Sequence, residues 1–192
     1  MIQTNRLSIR EISIEDLNDI HILLSLPESD RYNAFGIPDT IHDTEVIVDG
    51  WITEQSAHPR KSYIYSIAIL DSNQFIGVIA LIPGKPKYKI AEVWFKIHVD
   101  YWGRGYMTEA LYAVLLFAFD DLKLHRIEAG CAVENIASAK VLEKAGMTRE
   151  GLKRKLLPKG SQWLDCYSYA ILENEFSHFP SNASTPPDTT PS

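Results

Sequence analysis

Cysteine is scarce. Only Cys131 and Cys166 occur in 192 residues. Both stand in apolar, strand-like runs, where a buried structural thiol outweighs a redox or nucleophilic one. The histidines, His21, His42, His58, His98, His125 and His178, are scattered without a spacing that would ligate an ion, so no metal site is expected. No apolar run approaches the ~20 residues that a membrane helix requires, and the start, Met1-Ile2-Gln3-Thr4-Asn5-Arg6, has no apolar signal core. A soluble, cytoplasmic protein without a membrane partner is the expectation. An excess of positive charge is also missing: the formal net charge of −6 argues against a nucleic-acid partner, which would need a clustered basic face to release counterions. Cationic amines are more natural partners for an acidic surface.

What is present suffices for one domain, because 192 residues at 45% hydrophobic bury one substantial core more readily than two thin ones. Leu7-Ser8-Ile9-Arg10 alternates as a half-buried strand, and Ser13 offers an N-cap to a helix over residues 14–26 that Pro27 stops. An irregular loop follows, then a helix over residues 43–57. Residues 63–69 and 75–82, β-branched and aromatic, flank the turn signal Asp71-Ser72-Asn73 and read as an antiparallel hairpin. A strand over residues 91–99, a helix over 106–119 and a strand over 126–133 form a right-handed crossover with parallel strands. Asn135 caps a helix over 136–145, Gly146 fits its C-terminal left-handed position, and residues 148–157 and 163–172 close the chain as an antiparallel pair. The sum is an α/β chain of about seven strands, mostly antiparallel, and about four helices. Residues 1–176 form the domain, and the Pro-, Ser- and Thr-rich residues 177–192 read as a disordered tail.

The stretch with the strongest chemical content is Tyr101-Trp102-Gly103-Arg104-Gly105-Tyr106-Met107-Thr108-Glu109-Ala110. Two glycines between a strand and a helix leave successive backbone N–H groups pointing at one anion, and the helix dipole adds to them. A tight structural turn would use the same glycines. A Walker-type loop is disfavoured, since no Lys-Ser or Lys-Thr pair follows, and the dinucleotide spacing G-x-G-x-x-G fails at Thr108.

This stretch, preceded by Ala91-Glu92-Val93 and followed by Asn135-Ile136-Ala137-Ser138, Val141-Leu142-Glu143-Lys144-Ala145-Gly146-Met147 and Glu150-Gly151 with Asp165 and Tyr169, resembles the GNAT superfamily of acyl-CoA-dependent N-acetyltransferases, in particular its RimJ/RimL-like branch. The resemblance runs from Thr4-Asn5-Arg6-Leu7 to Tyr169-Ala170-Ile171. It implies a GNAT fold with splayed central strands and acetyl-CoA as co-substrate. It also implies that Ile97, His98 and Val99 lend backbone groups to pantetheine, that the amides of Gly103, Arg104, Gly105, Tyr106, Met107 and Thr108 hold the pyrophosphate, and that Arg104 adds charge nearby. Trp102 stands where the family motif has a polar residue, and Met107, in place of Gly or Ala, narrows the approach to the phosphates. Asn135 is implied to bond the pantetheine arm and Ser138 to meet the leaving sulfur. Capping alone would also account for Asn135.

Glu92 has its own rationale: an amine with a pKa near ~10 must lose a proton before it attacks a thioester, and a carboxylate can take it directly or through water. Tyr32, Phe35, Trp51 and Tyr63 fall in the segments that roof the amine site in the resembled fold. The activity implied is acetyl transfer to a primary amine, a protein N-terminal α-amino group by branch, with a homodimer compatible. Polyamine or aminoglycoside acetylation and a non-catalytic acyl-CoA-binding module are the alternatives.

Overall fold

Strand-forming runs dominate the chain. A computed structural model, which describes residues 1–33 and 36–176, gathers them into one eight-stranded sheet. The strands are β1 (Ile2–Gln3), β2 (Leu7–Glu11), β3 (Tyr63–Ile69), β4 (Phe75–Pro83), β5 (Ile90–Ile97), β6 (Arg126–Ala132), β7 (Thr148–Lys159) and β8 (Gln162–Leu172). The helices are α1 (Leu17–Ser25), α2 (Pro27–Asp30), α3 (Ile41–Glu54), α4 (Tyr106–Asp120) and α5 (Ile136–Lys144). Across the sheet the order is β1-β2-β3-β4-β5-β6-β8-β7. Every neighbouring pair is antiparallel except β5–β6. Helix α4 lies in the connection between those two, which is the long crossover that parallel pairing demands.

The α/β architecture is as expected, with one strand and one helix more than the sequence pattern suggests. Strand β1 pairs through Ile2↔Ile9 and Gln3↔Ser8, too short a run to display alternation. Helix α2 begins at Pro27, which closes α1 and opens the next helix at once. A proline in the first turn gives up an N–H that has no intrahelical acceptor there anyway. Helix α3 starts at Ile41, not residue 43, because Thr40 accepts from the Asp43 N–H while the Asp43 carboxylate accepts from the Thr40 N–H at 2.8 Å. Strand β5 ends at Ile97, since Val99–Tyr101 curl into a 3₁₀ turn. Residues 177–192, expected as a tail, lie outside the described residues.

Each sheet face has its own core. Strand alternation sends Ile67, Ile79, Leu81, Val93 and Ile127 toward Leu111, Val114 and Leu115 of α4. The opposite face sends Ile64, Val78 and Ala80 toward Ile20, Leu23 and Val48 of α1 and α3. Each fully buried aliphatic side chain contributes about 1.5–3 kcal/mol, so the sheet is clamped from both sides.

The sheet nevertheless opens in its middle. Strands β5 and β6 pair only through Ile90↔Arg126, Ala91↔Ile127 and Glu92↔Glu128. Beyond that, β5 stays with β4 as far as Gly77↔Ile97, while β6 stays with β8 as far as Ala132↔Cys166. A fork results, with residues 93–97 and 129–132 as its arms. Gly77 seals one arm by close approach: a Cβ there would stand 2.4 Å from the Lys96 carbonyl oxygen. Among the described residues no helix is long and apolar enough to cross a membrane.

Candidate active site

A cleft of about 600 Å³ opens on the β5 arm of the fork, lined by the end of β5, the glycine turn, the first turns of α4 and α5, and α2. Gly103 and Gly105 both adopt left-handed backbone, at φ +74° and +78°. This conformation is costly for any residue with a Cβ. Gly105 is the N-cap of α4 and supplies no side-chain cap, so the N–H groups of Tyr106, Met107 and Thr108 have no helical acceptor and are available to a ligand. The turn is fastened from below. Glu109 accepts from Thr4 Oγ1 at 2.5 Å, from the Arg6 N–H at 3.1 Å and from Arg6 Nε at 2.6 Å. Arg6 also donates to the Arg104 carbonyl at 3.1 Å and stacks 4.5 Å over the Tyr106 ring.

Met107 lines the cleft but does not fill it. Its side chain is 4% exposed and packs into the core beneath α4, so the expected narrowing does not arise. On the facing side, Asn135 caps α5 by accepting from the Ser138 N–H at 3.1 Å. Its Oδ1 is thereby committed, and Nδ2 is the end that can meet a ligand carbonyl. Ser138 lies on the same helix start and lines the same cleft. It also hydrogen-bonds the Cys131 thiol, which burial pushes up to about 11, so Cys131 stays protonated. The lining charges are Arg31, Lys96, Lys140 and Lys144 against Glu28 and Glu134, a basic cleft in an acidic chain.

An amide cradle at a helix N-terminus, an open sheet and a basic lining suit a nucleotide thioester. The family model of the acetyltransferase (GNAT) domain matches residues 6–148. The chain belongs to the GNAT acetyltransferase family. An uncharacterized N-acetyltransferase of Bacillus subtilis (strain 168), YnaD, is 34% identical over 178 residues, covering 92% of this chain and 99% of that one. Two solved structures share the fold at lower identity. A spermidine N-acetyltransferase from Vibrio cholerae in complex with CoA and spermine superposes with a TM-score of 0.80, at 21% identity over 90% of this chain and 99% of its own. RimL, a ribosomal L7/L12 α-N-protein acetyltransferase in complex with CoA, gives 0.79 at 20% identity over 88% and 95%. The protein is thus an acetyltransferase of the GNAT fold.

Within this GNAT fold the structure sorts the expected residues. Ile97, Gly103, Gly105, Tyr106, Met107, Thr108, Asn135, Ser138 and Tyr32 line the cleft. His98, Val99 and Arg104 do not. The His98 N–H donates to the Ile76 carbonyl, and the carbonyls of His98 and Val99 accept from the N–H groups of Tyr101 and Trp102. That turn is closed on itself, and Trp102 Nε1 adds a bond to the Ile97 carbonyl at 2.9 Å. Arg104 lies 5.5 Å over the Tyr101 ring, and the cleft's cations come from α2, β5 and α5 instead. Glu92 occupies the last paired position of the fork, exposed and outside the cleft lining.

Of the residues expected around the acceptor, Phe35 lies outside the described residues. Tyr63 is on the α4 face, edge-on to Phe117 at 5.7 Å and beneath Arg60, so it packs and does not roof the cleft. Trp51 lines a second cavity, of about 270 Å³, on the α1/α3 face. Lys96 was missed by the motif reading and lines both cavities. It is 5% exposed, and burial pushes its ammonium down to about 8, against the pull of Asp30 and with the push of Lys159. A lysine alternating with Trp94 inside an apolar strand is the signal that could have found it.

Proposed function

We propose that the enzyme transfers the acetyl group of acetyl-CoA to the α-amino group of a protein or peptide N-terminus. The observation that carries this reading is the fork, whose arms at residues 93–97 and 129–132 face one another without ladder bonds. Pantetheine brings amides to one arm. A peptide brings its first amide to the other, beside the amine that reacts, whereas a polyamine has no amide to offer.

In this scheme the amides of residues 103–108 hold the pyrophosphate, and Asn135 Nδ2 meets a pantetheine carbonyl. The neutral amine attacks the thioester carbon, the C–N bond forms and the C–S bond breaks. The amine's proton leaves through water toward Glu92, and Ser138 hydrogen-bonds the thiolate, which takes its proton from solvent.

The test is thiol release from acetyl-CoA with peptides and with spermidine as acceptors, followed by mass spectrometry of the product. Acetyl on the peptide α-nitrogen, at a kcat/KM above that for spermidine, is the expected result. Spermidine as the better acceptor overturns the reading.

A further inference from the structure

The second cavity adjoins the cleft at Lys96, and its walls differ from those of the cleft. They are formed by Leu24, Ile37, Ile47, Trp51 and Trp94, with the two indole rings 6.0 Å apart and tilted by 47°. Its carboxylates, Asp39 and Asp43, are exposed, and that of Asp43 already accepts from the N–H and hydroxyl of Thr40 at 2.8 and 2.9 Å. A volume of about 270 Å³ accommodates one large side chain, not a folded segment. Trp94 and Lys96 project from the same face of β5, so a group that enters the cavity beside the paired indoles from the cleft passes the Lys96 side chain.

We propose that this cavity seats the first side chain of the acceptor, so that the enzyme selects N-termini that begin with a large aliphatic or aromatic residue and rejects polyamines. The proposal rests on the N-terminal reading above. In a peptide the α-amino group and the first side chain share one carbon. An amine placed at the fork therefore leaves its side chain at the mouth of the adjoining cavity, where the apolar walls gain by burying it.

Lys96 supplies the rejection. An ammonium drawn against the indoles gains a cation–π contact, but beside a buried lysine it meets a like charge in a setting where repulsion outweighs that gain. The reacting amine feels the same field. An α-amino group, with a pKa of about 8, gives up its proton there more readily than a polyamine nitrogen near ~10. Asp30 and Lys159 face Lys96, and Asp39 and Asp43 share its cavity. Asp30 Oδ2 is held by Lys159 Nζ, and Asp39 and Asp43 are exposed at the rim, where water screens them more than it screens the buried Lys96.

The experiment measures kcat/KM, by thiol release, for peptides that differ only in a first residue of Phe, Leu, Ser or Gly, and for spermidine. It compares wild type, Trp51→Ala and Lys96→Gln, with acetyl-CoA binding by calorimetry as the check on folding. The expected result is a preference of at least tenfold for Phe and Leu over Gly, lost in Trp51→Ala through a raised KM. If Trp51→Ala fails to fold, Ile47→Phe fills the cavity and imposes the same loss. Lys96→Gln narrows the advantage of the Phe peptide over spermidine about tenfold at pH 7. Raising the pH from 7 to 9 frees the spermidine nitrogen in both proteins and narrows the advantage in both, but narrows it further in wild type, where Lys96 also loses its charge. A flat response across first residues overturns this inference and leaves N-terminal acetylation standing. Spermidine as the best acceptor, or no release with any acceptor, overturns both.

Discussion

Lys96 is a cation held where water is scarce, and the cost falls on the fold. Its ammonium titrates near 8 in the folded chain against 10.5 when solvated. Below pH 8 both states carry the proton and the folded state bears the full desolvation. Between 8 and 10.5 the folded state has released the proton while the unfolded chain keeps it, so stability rises with pH across that window. Lys96→Met is therefore expected to stabilise the protein at pH 7 by up to about 3 kcal/mol, a gain that shrinks as the pH climbs above 8. Denaturant titrations of both proteins at pH 7 and 10 measure it. Such an exchange of stability for function is common at sites where a charge must sit beside a substrate. Motif spacing locates Gly103, Gly105, Asn135 and Ser138, because backbone conformation and capping are local properties. It says nothing of Lys96, whose neighbours come from α2 and β7.

At the level of elements, the cradle depends on a contact between chain segments about a hundred residues apart. Thr4 and Arg6 converge on Glu109, in the first turn of α4, with side chains of Arg6 and Glu109 46% and 20% exposed. The carboxylate also meets the positive end of the helix. Glu109→Ala leaves β1 and its turn untied, and we expect a loss of about 1–2 kcal/mol, discounted for the exposure of Arg6. Calorimetry would register this as a lower Tm, and hydrogen exchange would show faster amides in β1. Sequence pattern reads α4 and α5 well, since each carries an apolar face and a recognisable start. It finds the stop of α1 at Pro27 but not the start of α2 there, because the same missing N–H that forbids a helix interior permits a first turn. The choice between those outcomes lies with the residues packed around α2.

At the level of the whole molecule, a net charge of −6 coexists with a cleft lined by Arg31, Lys96, Lys140 and Lys144. The local field, not the total, meets the phosphates of acetyl-CoA. Raising ionic strength from about 50 to 300 mM is expected to raise the KM for acetyl-CoA roughly threefold, by shortening the screening length over the exposed Arg31, Lys140 and Lys144. A KM that is flat with salt would count against their role. Glu92 illustrates the complementary point: a carboxylate with sound chemistry at a matched position still lies outside the cleft lining, exposed to solvent although it shares a face of β5 with Trp94 and Lys96.

The α/β class, the paired strands, the crossover around α4 and the glycine cradle follow from the sequence itself, because each rests on periodicity, capping or backbone conformation within a few neighbouring residues. The fork between β5 and β6, the burial of Lys96, the inward turn of Met107 and the cavity beside Trp51 and Trp94 were decided by the tertiary structure. Those features arise where elements distant in the chain share space, and there packing and desolvation, which no local pattern encodes, set the outcome.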